Sequence, residues 1–462
     1  MKQHFNQRRI GLISVLVSVL MAVVPACGQV PDPIFNDPTD PGYAGPAPTA
    51  RDTITTPTIV STNESADTLQ YADRELGPVN VGVDLKGGFS DNLFNSSGGG
   101  GSGSFAGFAV PVGLRFRNVK TQFNLNYRAD KVFYPAHTEI DNFSQAYSNQ
   151  LEHHTSEHTA LYWNFIAGRL TDIGQFLPSI IPIGSGGIAQ GPSAANAAES
   201  STTTSNLATS LGFTHDVSED SKVLGTLTAG WIEQAQGKPA PGTARQILRN
   251  DVGGIDLQYQ RAISLRTTLG GEVTQVYIRG LAPRGHENYV AVEGTYVRQL
   301  TDHLDLRVGA GPLFNSSTSV GVKPQTDVSY AASADVQYRI QRTLIGFDFS
   351  RVFQLGYQQT ATIGNQISAS FDRELSRTLD VTVDGRYVRS DSSSINQNQS
   401  TLGITGRVNK RIAPNVLLFL SASRSQQRTP AVLLNGNSYN RDDVFGGITV
   451  LLGNPLYSRG AH

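Results

Sequence analysis

Thr378–Arg389 reads TLDVTVDGRYVR, and its alternation decides the fold. Leu379, Val381, Val383 and Tyr387 share one parity, while Asp380, Thr382, Asp384 and Arg386 share the other. Successive side chains of a strand point to opposite faces, so this stretch has one apolar face and one charged face.

The same alternation recurs between Val79 and Leu452. Val79, Val81, Val83, Leu85 and Phe89 oppose Asn80, Asp84 and Lys86. Phe108, Val110, Val112, Leu114 and Phe116 oppose Gly107, Gly113 and Arg115. Phe123, Leu125 and Tyr127 oppose Asn124, Asn126, Arg128 and Asp130. Further along, Ile255 and Leu257 oppose Asp256 and Gln258, Leu306 and Val308 oppose Asp305 and Arg307, and Val336 and Tyr338 oppose Asp335 and Arg339. Most runs last about 10 residues, longer than the usual globular strand and suited to a tilted bilayer crossing.

The connections alternate as well. Arg117–Lys120, Gly168–Asp172, Val217–Ser221, Arg261–Leu265, Gln299–His303, Arg339–Thr343, Glu374–Thr378 and Lys410–Asn415 read as short turns. Ser90–Ser104, Pro135–Gln150, Pro182–Thr203, Ala235–Arg249, Arg279–Glu287, Asn315–Thr326, Gln358–Ile363, Ser390–Ser400 and Gln427–Asn440 read as longer loops. Short turns at one end and long loops at the other predict an all-β, antiparallel, up-and-down transmembrane barrel of about 18 strands, with turns in the periplasm and loops outside. The count includes a strand over Ile173–Ile181, which contains Pro178. Closure follows from physics, because an open sheet edge would leave unpaired N–H and C=O groups in hydrocarbon. At this width side chains cannot fill the interior, so the lumen is expected to hold water.

The N-terminus agrees with export. Lys2, Arg8 and Arg9 precede the apolar run Ile10–Val24, followed by Pro25, Ala26 and Cys27. A basic segment, an apolar core of about 15 residues and small residues make a secretory signal, too short for a spanning helix. Two readings compete at the junction: acylation of Cys27 after cleavage, as in a bacterial lipoprotein, or cleavage after Ala26 leaving a free thiol. The expected layout is a signal peptide over 1–26, a Pro-rich periplasmic linker over 27–77, a barrel over 78–453 and a tail over 454–462. That places the protein in the outer membrane of a Gram-negative-type cell, with its N-terminus in the periplasm.

Composition excludes other classes. The net charge of −1 calls for no nucleic-acid partner. A mean hydropathy of −0.22 argues against a helical membrane protein but suits a barrel, half of whose residues face a polar lumen. The single cysteine rules out an internal disulfide framework and a Cys-based metal site.

Three sets of residues invite chemistry. Gly98, Gly100 and Gly103 spell GxGxxG, but a dinucleotide site needs a helix to follow, and here another strand is expected. His153, His154 and His158 cluster with Glu152 and Glu157. On a strand His154 and His158 lie about 13 Å apart, too far for one metal ion, so a polar strand end near the outer surface is expected. No GxSxG elbow is present, and His215, His286 and His303 have no evident serine partner. No enzyme, cofactor or metal site is expected.

The polar parity carries the function. Its candidate pore-lining residues are Arg115, Asn124, Asn126, Arg128, Asp256, Gln258, Arg266 and Glu272, then Asp305, Arg307, Asp335, Arg339, Asp380, Asp384, Arg386 and Arg407. Charges facing lipid at mid-bilayer would cost about 2–4 kcal/mol each, so their regular phase implies an aqueous interior. The third long loop, Pro182–Thr203, carries one charge, Glu199, and two readings compete for it: a loop that folds inward and narrows the channel, or a mobile surface loop.

The run Asn149-Gln150-Leu151-Glu152-His153-His154 leads to Leu161-Tyr162-Trp163-Asn164-Phe165 and Arg169-Leu170-Thr171-Asp172. Similar turns recur at Arg298–Asp302 and Arg377–Asp380. With these residues the chain resembles the outer-membrane beta-barrel porin family associated with exopolysaccharide gene clusters. The resemblance implies passage of a sugar polymer. Val444–Leu452 is similar to the final-strand signal read by outer-membrane assembly machinery, although Gly453–His462 follow it. The expected partners are therefore outer-membrane lipid, that machinery, and polysaccharide or small hydrophilic solutes. A non-conducting structural or adhesive barrel is the alternative.

Overall fold

The computed structural model describes residues 79–92, 101–136, 142–172, 189–190, 202–235, 247–281, 284–319, 325–355, 361–376, 378–392, 397–413, 415–428 and 438–452. The signal-like segment, Cys27, the Pro-rich stretch, Ile173–Ile181 and the C-terminal tail lie outside them.

The first strands are β1 (Val79–Ser90), β2 (Gly103–Arg117), β3 (Thr121–Phe133), β4 (Asn142–Ser156), β5 (Thr159–Asp172) and the two-residue β6 (Ala189–Gln190). Next come β7 (Thr202–Ser218), β8 (Ser221–Ala235), β9 (Ile247–Ser264), β10 (Thr267–Leu281), β11 (Arg284–Thr301) and β12 (Leu304–Ser319). The chain finishes with β13 (Gln325–Ile340), β14 (Thr343–Leu355), β15 (Ala361–Ser376), β16 (Leu379–Ser392), β17 (Gln397–Ala413), β18 (Val416–Arg428) and β19 (Tyr439–Leu451). All nineteen belong to one sheet. Setting β6 aside, each strand pairs antiparallel with its neighbours in sequence, and β1 pairs with β19, so the ring closes at the expected eighteen strands. Gly82–Ser90 run against Asp443–Leu451 at the junction. The strands span 12 to 18 residues, longer than the alternating runs suggest, because pairing continues past the apolar band into polar ends.

Eight tight turns lie at one end of the barrel. Six of the hairpins carry a register shift beside the turn, for example between Asp216 and Ser218 and between Arg411 and Ala413. Such a bulge lets a short turn follow the right-handed twist of the strands. The β2–β3 turn is fastened by Asn118, whose Oδ1 accepts from Thr121 N at 2.6 Å and Lys120 N at 2.9 Å. In the β13–β14 turn Gln341 has φ 48°, a left-handed conformation costly for a residue with a Cβ. Gln341→Gly is expected to raise stability by on the order of 0.5–1 kcal/mol, read as a higher urea midpoint for the refolded barrel.

The structure moves several predicted boundaries. Gly168–Asp172 is no turn but the end of β5, paired with Thr202–Asn206. The turn falls instead at Glu157-His158, where His158 N donates to Ser156 Oγ at 3.3 Å. Part of the expected Pro135–Gln150 loop, from Asn142 onward, belongs to β4. Splitting 142–172 into two strands restores the number that an Ile173–Ile181 strand was to supply. The Arg279–Glu287 loop also shrinks, because β10 and β11 pair as far as Leu281 and Arg284. Gly103 opens a strand, not a helix, so the GxGxxG reading has no structural setting.

Candidate functional site

Polarity is reversed relative to a soluble protein. The apolar parity is exposed, as at Leu257 (50%) and Val328 (69%), while polar side chains are buried inside, as at Asp84 (3%) and Glu272 (2%). The interior of the ring is therefore the candidate site, and three groups of side chains organise it.

The first spans β1 and β3. Arg128 bridges Asp84 and Asp130, the latter at 3.1 Å, and Lys86 Nζ reaches the same Asp130 oxygen at 3.0 Å. Arg128 is opposite Pro111 and Asp130 opposite Ala109, so the small inner side chains of β2 leave space for the network to cross that strand. Arg115 and Asn124 are direct partners farther toward the turns, and Asn126 faces Gly113.

The second group is rich in carboxylates and runs from β9 to β14. Asp256 accepts from Thr274 Oγ1 at 2.8 Å and Gln258 Nε2 at 2.9 Å, and Thr274 Oγ1 also lies 3.2 Å from Glu272 Oε1. Glu272 is the direct cross-strand partner of Glu293. Arg307 on β12 comes within 3.8 Å of Glu272 and is the cross-strand partner of Asp335, which in turn faces Asp348. Like charges placed side by side repel, and the Arg307 guanidinium between Glu272 and Asp335 offsets part of that repulsion. Asp305 and Arg339 stand near the turns and are exposed.

The third group lies on β15 to β18. Arg386 Nη2 donates to Gln366 Oε1 at 2.6 Å. Asn409 links Asp380 at 2.7 Å with Arg407 at 2.8 Å, and the Arg407 guanidinium sits 4.6 Å from the centre of the Phe419 ring. Asp384 shares the parity of Asp380 and Arg386 and is exposed. Beyond Phe419 the rings of Phe445, Phe105 and Tyr134 follow at centroid spacings of 6.3, 6.2 and 6.0 Å. These rings cross from β18 over β19 and β2 to the end of β3, the intervening β1 contributing only Gly88.

One candidate lies elsewhere. β9 extends to Ser264, so Arg266 stands in the β9–β10 turn rather than the wall, pairing with Asp302 at 2.7 Å. The histidine cluster likewise belongs to the turn end and not to the loop end. His154 pairs with Glu152 at 2.9 Å, and His153 shares a hydrogen bond with Thr121 at 2.9 Å on another strand. Among the described residues no cluster could hold a metal ion. His215 hydrogen-bonds Thr159, and His286 stacks on Tyr277.

Residues the sequence did not single out include Glu293, Thr274, Asn409 and Phe445. Glu293 could have been found from parity with Tyr289 and Thr295. That it sits beside Glu272 follows only from register.

The outer face has its own order. At the loop end cations or histidine cover aromatic rings: Lys131 on Phe133, Arg249 on Trp231, Arg351 on Tyr330 and His286 on Tyr277. Toward the turns Trp163, Tyr259, Tyr296 and Tyr338 form a second row. Tyr330 and Tyr338 are eight residues apart on one strand. That separation is about 27 Å along the strand and roughly 20 Å in height at a tilt of about 40°.

No protein-family model matches the sequence, and no curated protein matches it. Among solved structures it is similar to OccK2 (OpdF) of Pseudomonas aeruginosa, at 11% identity and TM-score 0.43, over 82% of this chain and 99% of that one. The outer membrane protein OpdK of the same organism gives 8% identity and TM-score 0.42, over 81% and 99%. The FrpB iron transporter (F3-3 variant) of Neisseria meningitidis gives 11% identity and TM-score 0.43 over 78% of this chain, which spans 64% of the transporter.

Proposed function

We propose that this chain is an outer-membrane channel that passes hydrophilic solutes by diffusion, with its short turns and N-terminus in the periplasm and its long loops outside. The reversed polarity of a closed sheet carries the reading. A ring that is apolar outside and charged inside is stable where its surroundings are lipid and its interior is wet. The two aromatic rows frame a band whose height approaches that of an outer-membrane hydrocarbon layer. The test is a planar-bilayer recording of the purified protein. Large, steady openings are expected, and silence from a heat-modifiable, folded barrel would reject conduction.

Saccharide is the cargo we favour, in keeping with the exopolysaccharide-associated family the sequence resembles. Amides, carboxylates and guanidinium groups exchange hydrogen bonds with sugar hydroxyls, and the half-buried Phe105 and Phe419 rings offer faces to sugar C–H groups. Added oligosaccharide should then block the current reversibly. Arg307→Gln removes the cation set among Glu272, Glu293 and Asp335, so the cation-to-anion permeability ratio is expected to rise several-fold. An unchanged reversal potential would place these residues outside the conduction path.

One observation favours the second reading, a non-conducting structural barrel. Part of the inner wall is apolar and buried, which a freely open lumen would leave wet.

A further inference from the structure

Among the polar groups of the interior lies a band that faces inward and is apolar. It takes a residue from every strand between β7 and β13: Ala208, Ile232, Val252, Val276 with Ile278, Tyr289 with Ala291, Leu313 and Ala331. Leu313 is 0% exposed, Ala331 1% and Val276 3%. In an eighteen-stranded ring the opposite wall is too distant to cover them, so another part of the chain must lie on this band.

β6 identifies which part. Ala189–Gln190 belong to the connection between β5 and β7, yet they pair in parallel with Gln354–Leu355 of β14. Around the ring β14 is separated from β5 by β7 through β13, the same strands that carry the band. At about 4.8 Å per strand that arc is roughly 38 Å wide, and the 17 residues from Asp172 to Ala189 reach at most about 58 Å. The connecting chain is also suited to an apolar surface. Residues 173–198 carry no charge, and the first part includes Ile173, Phe176, Leu177, Ile180, Ile181, Ile183 and Ile188.

We infer that the inner apolar band from Ala208 to Ala331 is a docking surface for residues 173–188 of the same chain, pinned at its far end by the β6–β14 backbone pairing. β14 is free to accept that partner, because its ladder with β13 ends at Ala332 and Arg351. The inference does not depend on whether the barrel conducts. It also accounts for a stretch with the apolar content of a strand that the ring does not need.

Photo-crosslinking of the full chain in its native membrane tests this. p-Benzoylphenylalanine at Tyr289, and separately at Val276, is irradiated, and the adducts are mapped by mass spectrometry. The expected adduct lies within residues 173–188, and Ile180→Asp together with Ile181→Asp should abolish it while the barrel stays heat-modifiable. An adduct with lipid, with the 27–77 segment, with another loop or with wall strands alone would overturn the inference. So would no adduct from a folded barrel, or one that survives the double substitution.

Discussion

Deleting residues 185–200 is expected to raise single-channel conductance by roughly two-fold or more, because conductance follows open cross-section. The deletion removes Ala189–Gln190, and with them the pairing that carries the β5–β7 connection to β14 on the far side of the ring. The shortened connection would lack that tie to β14. Barrel closure should survive, since the β5–β7 ladder from Thr159↔His215 to Asp172↔Thr202 lies wholly outside the deleted stretch. Planar-bilayer recordings on the deleted and parent proteins decide the matter. Equal conductance would mean that the third long loop does not narrow the path.

A second large effect is expected where the ring closes. Gly88→Val should prevent formation of the heat-modifiable folded species. Gly88 lies between Phe445 on β19 and Phe105 on β2, and an added Cβ would meet the Phe105 ring at 2.7 Å and also strike Phe445 Cβ and the Val444 carbonyl oxygen. The carbonyl belongs to the β1–β19 ladder and cannot give way without loss of closure pairs. An open barrel edge in hydrocarbon leaves backbone groups unsatisfied at several kcal/mol each, so the penalty falls on the whole fold. Gly406→Ala is the control, because nothing lies within 4 Å of the Cβ it would add. Gel migration with and without heating reads both. A Gly88→Val protein that still migrates as a folded barrel would show that the aromatic rings can move aside.

Much of this architecture was legible because alternation is a local signal. TLDVTVDGRYVR states its two faces by itself, and Asp380 and Arg386 fall on the inner one as their parity requires. Turn positions were less legible. The segment around Glu152-His153-His154 is polar on both parities, so nothing in its pattern told a strand end from a turn. The alternation alone therefore places the hairpin at Gly168–Asp172 and assigns the following apolar residues to a strand. Arg266 falls in a turn and not in the wall for a related reason, since β9 extends beyond its apolar run. Contacts within the lumen were not legible at all. Glu272 beside Glu293, or Phe445 beside Phe105, depends on which residues of separate strands stand opposite. The β6 pairing depends on a chain crossing the ring, for which sequence periodicity contains no information.

The short β13–β14 ladder has a consequence for the surrounding lipid. The β13–β14 ladder stops at Ala332↔Arg351 although β13 begins at Gln325, the largest such shortfall among the described strands. A backbone that leaves its ladder is costly among acyl chains, so the headgroup region is expected to descend toward this flank. Arg351 marks that depth, its guanidinium lying 4.4 Å from the centre of the outward Tyr330 ring and bonded to Asn365 at 3.0 Å. The leaflet should accordingly be thinner on this flank than around the rest of the circumference, giving a round barrel a preferred side in the membrane plane.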